Sequence, residues 1–363
     1  MGSSAASATA PDRRRSWASQ SPSGHPPSPH GAHTLRPAAA ERKASTQSNA
    51  KRYYTAVIRE ETMSETLPRR ARSPAEMGAL SGKMFVPAEI SASIAAYRPR
   101  PTDVVISPYG KCGTTWLQQI FHTLRTGGDM DFDDISRVVP WIETATLLGI
   151  DLEAPQRAEP RGFKSHLAYD AIPPGAKAIC SLRDPKDALV SFYRFMEGWF
   201  FEPGAVSIDQ FGEGWVSRPM LGSYWGHLLS WWKVRHDPAV LLLSYEQMVA
   251  EPEASIRRVA AFCDIPLDDA LLATTLERSS IGYMLAHKDV FSDPMMRRAS
   301  EVRCNLPPGS DSAKVRRGGV GGHADELSPE LSAALDVKWR ELVTPVTGFA
   351  DYAALEAALR AGA

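Results

Sequence analysis

Between residues 80 and 330 the chain alternates short unbroken apolar runs with longer stretches in which apolar residues return every third or fourth position. The run Thr102-Asp-Val-Val-Ile-Ser107 is β-branched and closed by Pro108, which predicts a buried strand. Residues 114–124 carry Trp116, Ile120, Phe121 and Leu124 at helical spacing. Residues 176–182 (AKAICSL) predict a second strand. Pro185 then stands where a helix takes its first residue, and Leu189, Phe192, Tyr193 and Met196 give that helix an apolar stripe. Residues 239–244 (AVLLLS) predict a third strand. Residues 253–262 follow as a helix whose apolar face runs through Ile256, Val259 and Ala260 to Cys263. Strand and helix in strict alternation predict an α/β fold, with a central parallel sheet flanked by helices on both faces.

The first fifty residues carry no such pattern. Ser, Ala and Pro dominate, and six Lys or Arg stand against two acids, Asp12 and Glu41. A segment of this kind cannot bury enough apolar surface to offset its ordering entropy. We therefore expect residues 1–75 to form a disordered basic extension and residues 80–355 to form the folded domain. Arg-rich, Ser-rich, acid-poor composition suits an organelle transit peptide. The plainer reading of the same letters is a disordered tail, or an upstream start with Met63 as the first residue used. No apolar h-region follows the basic residues, so a secretory signal is excluded.

Composition removes several function classes. The whole chain has 41 Lys and Arg against 42 Asp and Glu, which leaves no global basic field for nucleic acid. No run nears the ~18 apolar residues of a membrane helix. The four cysteines (Cys112, Cys180, Cys263, Cys304) form no CxxC pair, which fits a reducing, cytoplasmic setting and no cysteine zinc site.

Four segments carry candidate chemistry. In Ser107-Pro-Tyr-Gly-Lys-Cys-Gly-Thr-Thr-Trp116, a strand passes through a glycine turn into a helix. Free N–H groups and the positive dipole end of the helix face the turn, Lys111 adds a charge, and Thr114 and Thr115 add hydroxyls. That is an anion cradle, or simply a glycine-containing helix start with threonine caps. It is not a Walker A loop, which places Lys directly after its second glycine. In Arg183-Asp-Pro-Lys-Asp-Ala-Leu-Val-Ser191 an arginine ends a strand and a serine lies two turns along the next helix. This suits a second phosphate, or else a surface Arg–Asp pair. Lys314-Val-Arg-Arg-Gly-Gly-Val-Gly-Gly322 is a basic, glycine-rich loop that could close over an anion, or a solvated loop. Phe163-Lys-Ser-His166 sits near a strand end, and its histidine reads as structural unless the other motifs converge there.

Together these segments resemble the cytosolic sulfotransferase family, which uses 3′-phosphoadenosine 5′-phosphosulfate (PAPS) as sulfuryl donor. The family's YPKSGTTW loop is matched by Tyr109-Gly-Lys-Cys-Gly-Thr-Thr-Trp116, and its R-(N/D)-P-K-D-x-x-V-S-x-Y segment by residues 183–193. Its K-(T/S)-H-L is matched by Lys164-Ser-His-Leu167, its L-x-Y-E-(D/E)-M is approached by residues 243–248, and its R-K-G-x-x-G-D-W-K lid is approached by residues 316–324. Order and spacing agree from about residue 80 to 325.

The resemblance implies a P-loop-like three-layer fold and metal-free, in-line sulfuryl transfer. Lys111 would stabilise the leaving phosphate, and Cys112, Gly113, Thr114 and Thr115 would cradle the 5′-phosphate. Trp116, Tyr245 and Ser279 would meet adenine, with Ser280 and Ile281 as weaker candidates. Arg183, Ser191, Arg316, Arg317 and Gly318 would hold the 3′-phosphate. His166 would be the general base, and Lys164 would stabilise the sulfuryl oxygens. The implied partner is a small-molecule hydroxyl acceptor, a phenol, sterol or other alcohol, with neither nucleic acid nor membrane involved. Trp141, Phe195 and Trp199, with Met196, Phe200 and Phe201, are candidates for its pocket.

The chain departs from the family at three places. Cys112 replaces Ser, either harmlessly or as a thiol activated beside Lys111 at a helix N-terminus. Gly322-His323-Ala324 replaces the lid's Asp-Trp-Lys, so a donor contact is lost or supplied by His323. The family's dimer segment K-x-x-x-T-V-x-x-x-E is unmatched, so no oligomeric state carries over. Rival readings are a nucleotide-binding protein without catalysis, a P-loop kinase or NTPase, and a Golgi carbohydrate sulfotransferase. The last would bring a membrane anchor and lumenal disulfides.

Overall fold

The computed structural model describes residues 67–362. The expected disorder of the N-terminal extension, and its transit role, lie outside the described residues up to residue 66. Four parallel strands form one sheet in the order β2-β1-β3-β4. They are β1 (Val104–Ile106), β2 (Gly162–Lys164), β3 (Lys177–Leu182) and β4 (Val240–Ser244). Val105 lies level with Phe163 on one side and Ala178 on the other, and Ile179 lies level with Leu241.

Strands β3 and β4 alternate residue by residue between two cores. Ala178, Cys180, Leu182, Val240 and Leu242 join one core, with Leu189, Trp225, Trp231 and Leu355. Ile106, Ile179 and Leu243 join the other, with Leu117, Phe121, Ile256 and Val259. Each large side chain buried this way contributes about 1.5–3 kcal/mol over its exposed state. The result is three layers, as expected for a parallel sheet buried on both faces.

Helix α1 (Pro74–Met84) opens the described fold, followed by α2 (Pro87–Ala96). After β1 comes α3 (Thr114–Thr126), begun by Gly113 at φ 98° and ended by Gly127 at φ 67°. Both glycines occupy the left-handed region that a side chain disfavours. Phe121 of α3 packs so closely on β2 that a Cβ at Gly162 would sit 2.1 Å from its ring. After β3, Asp184 caps α4 (Pro185–Trp199) by accepting from Lys186 N at 2.7 Å, with Pro185 at the first position. Helices α5 (Ile208–Val216) and α6 (Tyr224–Lys233) precede β4. Helix α7 (Pro252–Phe262) follows it, with α8 (Asp269–Arg278) and α9 (Pro294–Cys304) beyond.

The N-terminal boundary differs from expectation. Residues 67–75 belong to the fold and not to the extension. Ala71 is buried and pairs with the end of α4: its N–H donates to Phe200 O and its carbonyl accepts from Glu202 N, both at 2.8 Å. One bridged residue leaves no hydrophobic period to read, so composition alone could not find it. Among the described residues no helix is long and apolar enough to cross a membrane.

Candidate active site

Because all four strands run parallel, their carboxyl ends open on one edge, which is where ligands bind in open α/β sheets. Each end delivers a different motif there. The turn after β1 carries Lys111, the end of β2 carries Lys164 and His166, the end of β3 carries Arg183, and the end of β4 carries Tyr245. These residues line one cavity of about 750 Å³. Also in its wall are Gly113, Thr114, Thr115, Trp116, Trp141, Ser191, Phe195, Trp199, Ser279, Arg316, Arg317 and Gly318. Every candidate site residue converges on it except Cys112 and Phe201.

Cys112 is fully buried, packed in the core under the sheet. Burial pushes its thiol up to about 12, well beyond what Arg183 and Lys111 offset. The activated-thiol reading is therefore corrected: the side chain faces the core and stays protonated. Phe201 is likewise a core residue, edge-on to Phe211, and does not line the cavity.

The cradle is strained and tight. Lys111 itself holds φ 70°, and a Cβ at Gly113 would lie 3.1 Å from the Tyr245 ring. Lys111 Nζ donates to the carbonyl of Lys314 at 3.3 Å and sits 4.4 Å over the Phe195 ring. Burial, then the charges of Lys314 and Arg183, lower its pKa to about 7. Arg183 donates to Lys111 O at 2.9 Å and to Gly319 O at 3.2 Å, and lies 4.2 Å from the Tyr245 ring centre. Trp116 meets Tyr245 edge to face at 5.7 Å. Thr114 Oγ1, Trp116 Nε1 and Arg183 Nε are buried without a protein partner. Orphaned polar atoms cost free energy unless a ligand satisfies them. Two hydroxyl or guanidine groups left open beside a lysine fit an anionic nucleotide.

At the other end His166 Nδ1 lies 2.8 Å from the carbonyl of Pro108. A carbonyl only accepts, so Nδ1 carries the proton and Nε2 keeps its lone pair. Burial, followed by the charge of Lys164, holds the imidazole well below its usual pKa, so it is neutral at pH 7. Its backbone N–H donates to Glu143 Oε1 at 2.7 Å. Trp141 stands edge-on to the imidazole at 5.1 Å, and its ring carries Lys164 Nζ at 4.0 Å. Phe195, Met196, Trp199 and Phe200 continue this apolar wall, and Met77 and Phe85 close it from the N-terminal side.

The lid is fastened to α4. Asp187 accepts from Gly321 N at 2.7 Å and from His323 N at 3.0 Å, and His323 Nδ1 donates to it at 2.9 Å. His323 thus latches this loop to α4 and is not among the cavity-lining residues. Arg316 and Arg317 face Glu326 at 3.8 and 3.5 Å. Two further cavity residues escaped sequence reasoning. In the sequence Lys314 shows only as part of a basic loop, and Asp293, which binds both Lys164 and Lys314, carries no motif.

Comparison with known proteins agrees with this geometry. The family model described as "Sulfotransferase domain" matches residues 101–346. Luciferin sulfotransferase of Photinus pyralis is 27% identical, over 68% of this chain and 73% of the relative. Sulfotransferase 1C2 of Oryctolagus cuniculus is 27% identical, over 70% of this chain and 87% of the relative. A crystal structure of retinol dehydratase with androsterone and the inactive cofactor PAP shares the fold. Its TM-score is 0.60 and its identity 20%, over 77% of this chain and 96% of that one. Mouse sulfotransferase SULT7A1 complexed with PAP aligns with a TM-score of 0.54 at 24% identity, over 71% of this chain and 91% of that one.

Proposed function

Since the chain belongs to the sulfotransferase family, we propose that it moves the sulfuryl group of PAPS to the hydroxyl of a small, neutral, largely apolar or aromatic acceptor. The observation that carries this reading is the meeting, in one cavity, of a neutral imidazole with the buried Lys164 and the half-buried Lys111. An apolar wall lies on one side of them and an anion cradle on the other.

Charge supports the choice of donor and acceptor. Seven cationic side chains and three carboxylates line the cavity. PAPS brings about four negative charges near neutral pH, roughly two of them on its phosphomonoester. Donor and site then balance, which leaves a neutral acceptor for the Trp141, Phe195 and Trp199 wall. PAP, the donor without its sulfuryl group, is bound in both similar structures.

The residues divide the work as follows. The Gly113–Thr115 turn and Lys111 hold the 5′ side. Thr114 Oγ1 and Arg183 Nε gain the partners they lack. Arg183, Ser191, Arg316, Arg317 and Gly318 hold the 3′-phosphate, and Trp116, Tyr245 and Ser279 border the adenine. The acceptor hydroxyl gives its proton to His166 Nε2 as its oxygen bonds to sulfur. The bond from sulfur to the bridging oxygen breaks, and the electron pair stays on the 5′-phosphate beside Lys111. Lys164 meets the sulfuryl oxygens. The donor's charge offsets the lysines that hold the imidazole's proton affinity down, so His166 becomes a better base once the donor is seated.

The test is transfer from radiolabelled PAPS to a panel of phenols, sterols and aliphatic alcohols, beside calorimetric binding of PAP. We expect transfer by the native protein and its loss in folded Lys111→Ala and His166→Ala variants, with PAP binding kept in the latter. PAP binding without transfer to any acceptor would favour a nucleotide-binding protein. Neither binding nor transfer would refute the reading.

A further inference from the structure

Lys164 and Lys314 share a single carboxylate oxygen. Asp293 Oδ2 accepts Lys164 Nζ at 3.2 Å and also Lys314 Nζ, while Oδ1 accepts from Ser136 Oγ at 3.3 Å. Asp293 is 2% exposed and Lys164 1%. The aspartate holds φ 44°, directly before Pro294 at the start of α9, a left-handed conformation that costs a side-chain residue energy. Lys314 lies on the lid side, and its carbonyl accepts from Lys111 Nζ. Two ammoniums on one carboxylate leave a net positive charge beside His166 and Lys111. Among the described residues neither lysine has a second hydrogen-bond acceptor, so each has N–H groups to spare at the cavity wall. Buried ammoniums with open donors are costly, and they are stabilised when an anion arrives.

Resting on the sulfotransferase reading above, we propose that Lys314 is a further catalytic residue and Asp293 a positioning residue. Lys314 donates to the sulfuryl oxygens in transit, and Asp293 seats it beside Lys164. The lid motif of basic residues thus supplies a charge to the reacting group as well as to the 3′-phosphate. While sulfur is bonded partly to both oxygens, its three equatorial oxygens are met from two sides by Lys164 and Lys314. Asp293 holds the ammoniums together before the donor binds, so little reorganisation is needed at the reaction. The mechanism's bonds are unchanged: sulfur passes from the bridging oxygen to the acceptor oxygen, and the proton goes to His166.

The experiment compares kcat, PAP affinity and melting temperature for the native protein, Lys314→Met, Lys314→Arg and Asp293→Asn, with an acceptor found in the panel. We expect Lys314→Met to lose about 10–100-fold in kcat with PAP affinity within about threefold of native, and Lys314→Arg to keep a larger share. For Asp293→Asn the discriminating readout is the pH profile of kcat. The groups facing the lysine pair are Asp293, Asp134, His166 and Lys111. Removing the one carboxylate bonded to both lysines moves the alkaline limb to lower pH by about one unit or more, which a merely structural aspartate would not do. Native kcat in Lys314→Met would overturn the inference. So would a fall in kcat that only tracks lost PAP affinity or melting temperature, or an unmoved alkaline limb in a folded Asp293→Asn protein. Absence of transfer by the native protein would instead overturn the sulfotransferase reading on which the inference rests.

Discussion

Raising the pH from 7 to 9 probes Lys111 directly. In the ligand-free site burial, together with the charges of Lys314 and Arg183, brings this lysine to about 7, from an ordinary 10.5. At pH 9 only about 1% of it is then protonated. A bound 5′-phosphate reverses the balance, because an adjacent anion favours the ammonium. If the bound lysine returns above 10, binding above pH 7 must take up a proton. Each pH unit then costs about 1.4 kcal/mol of affinity, a factor of ten. Because half of the free lysine is already deprotonated at pH 7, PAP affinity falls about 50-fold between pH 7 and 9. The ligand contributes little in this range, since both of its phosphomonoesters are ionised above about pH 6. Lys164, also lowered by burial and by Lys314 against the pull of Asp293, titrates in the same window. The midpoint consequently belongs to the pair.

Calorimetry of PAP binding at several pH values, in two buffers of different ionisation enthalpy, measures both the affinity and the proton uptake. Lys111→Met should bind more weakly at pH 7 and show a flatter dependence above it. An affinity that changes less than threefold between pH 7 and 9, with no buffer-dependent heat, would refute the assignment of Lys111 as a desolvated donor-site lysine.

Two shorter predictions concern the lid and the cradle's cysteine. Asp187→Asn weakens the three hydrogen bonds that fasten residues 321–323. Loss of even one charged bond is worth about 1.5 kcal/mol, so PAP affinity should drop about tenfold; unchanged affinity would mean the lid does not hold the nucleotide. With its thiol near 12, Cys112 carries only about 10⁻⁴ thiolate at pH 8. Mass spectrometry after iodoacetamide treatment should find it unlabelled in the native protein, with or without PAP, and labelled after denaturation. Rapid native labelling blocked by PAP would contradict its burial.

What could be read from the letters follows from how local the signal is. Strands β1, β3 and β4 stand out because buried parallel strands are apolar on both faces, and a run such as Val-Leu-Leu-Leu needs no partner to be recognised. Helix α4 announces itself through Asp184 and Pro185, a cap and a first residue side by side. Strand β2 is three residues long and shows only as the edge of the Lys164–His166 motif. The donor cradle is legible for the same reason. Its glycines, lysine and threonines are consecutive, because one turn and one helix start create the site.

Asp293 has no such neighbourhood. It lies 129 positions from Lys164 and 21 from Lys314, and only the tertiary fold brings the three together. Its φ of 44° places no demand that a sequence pattern records, since aspartate tolerates that region without glycine's signature. Of the two readings of Cys112, the activated thiol fails for the opposite reason. Proximity in sequence to Lys111 and to a helix N-terminus suggested an activated thiol, but side chains on adjacent residues of a turn point opposite ways. Lys111 faces the cavity and Cys112 the core. Adjacency along the chain predicts a shared backbone site well and a shared side-chain environment poorly. The charges that set the chemistry here, those of Lys111, Lys164, Asp293 and Lys314, come from four separate segments held at one edge of the sheet.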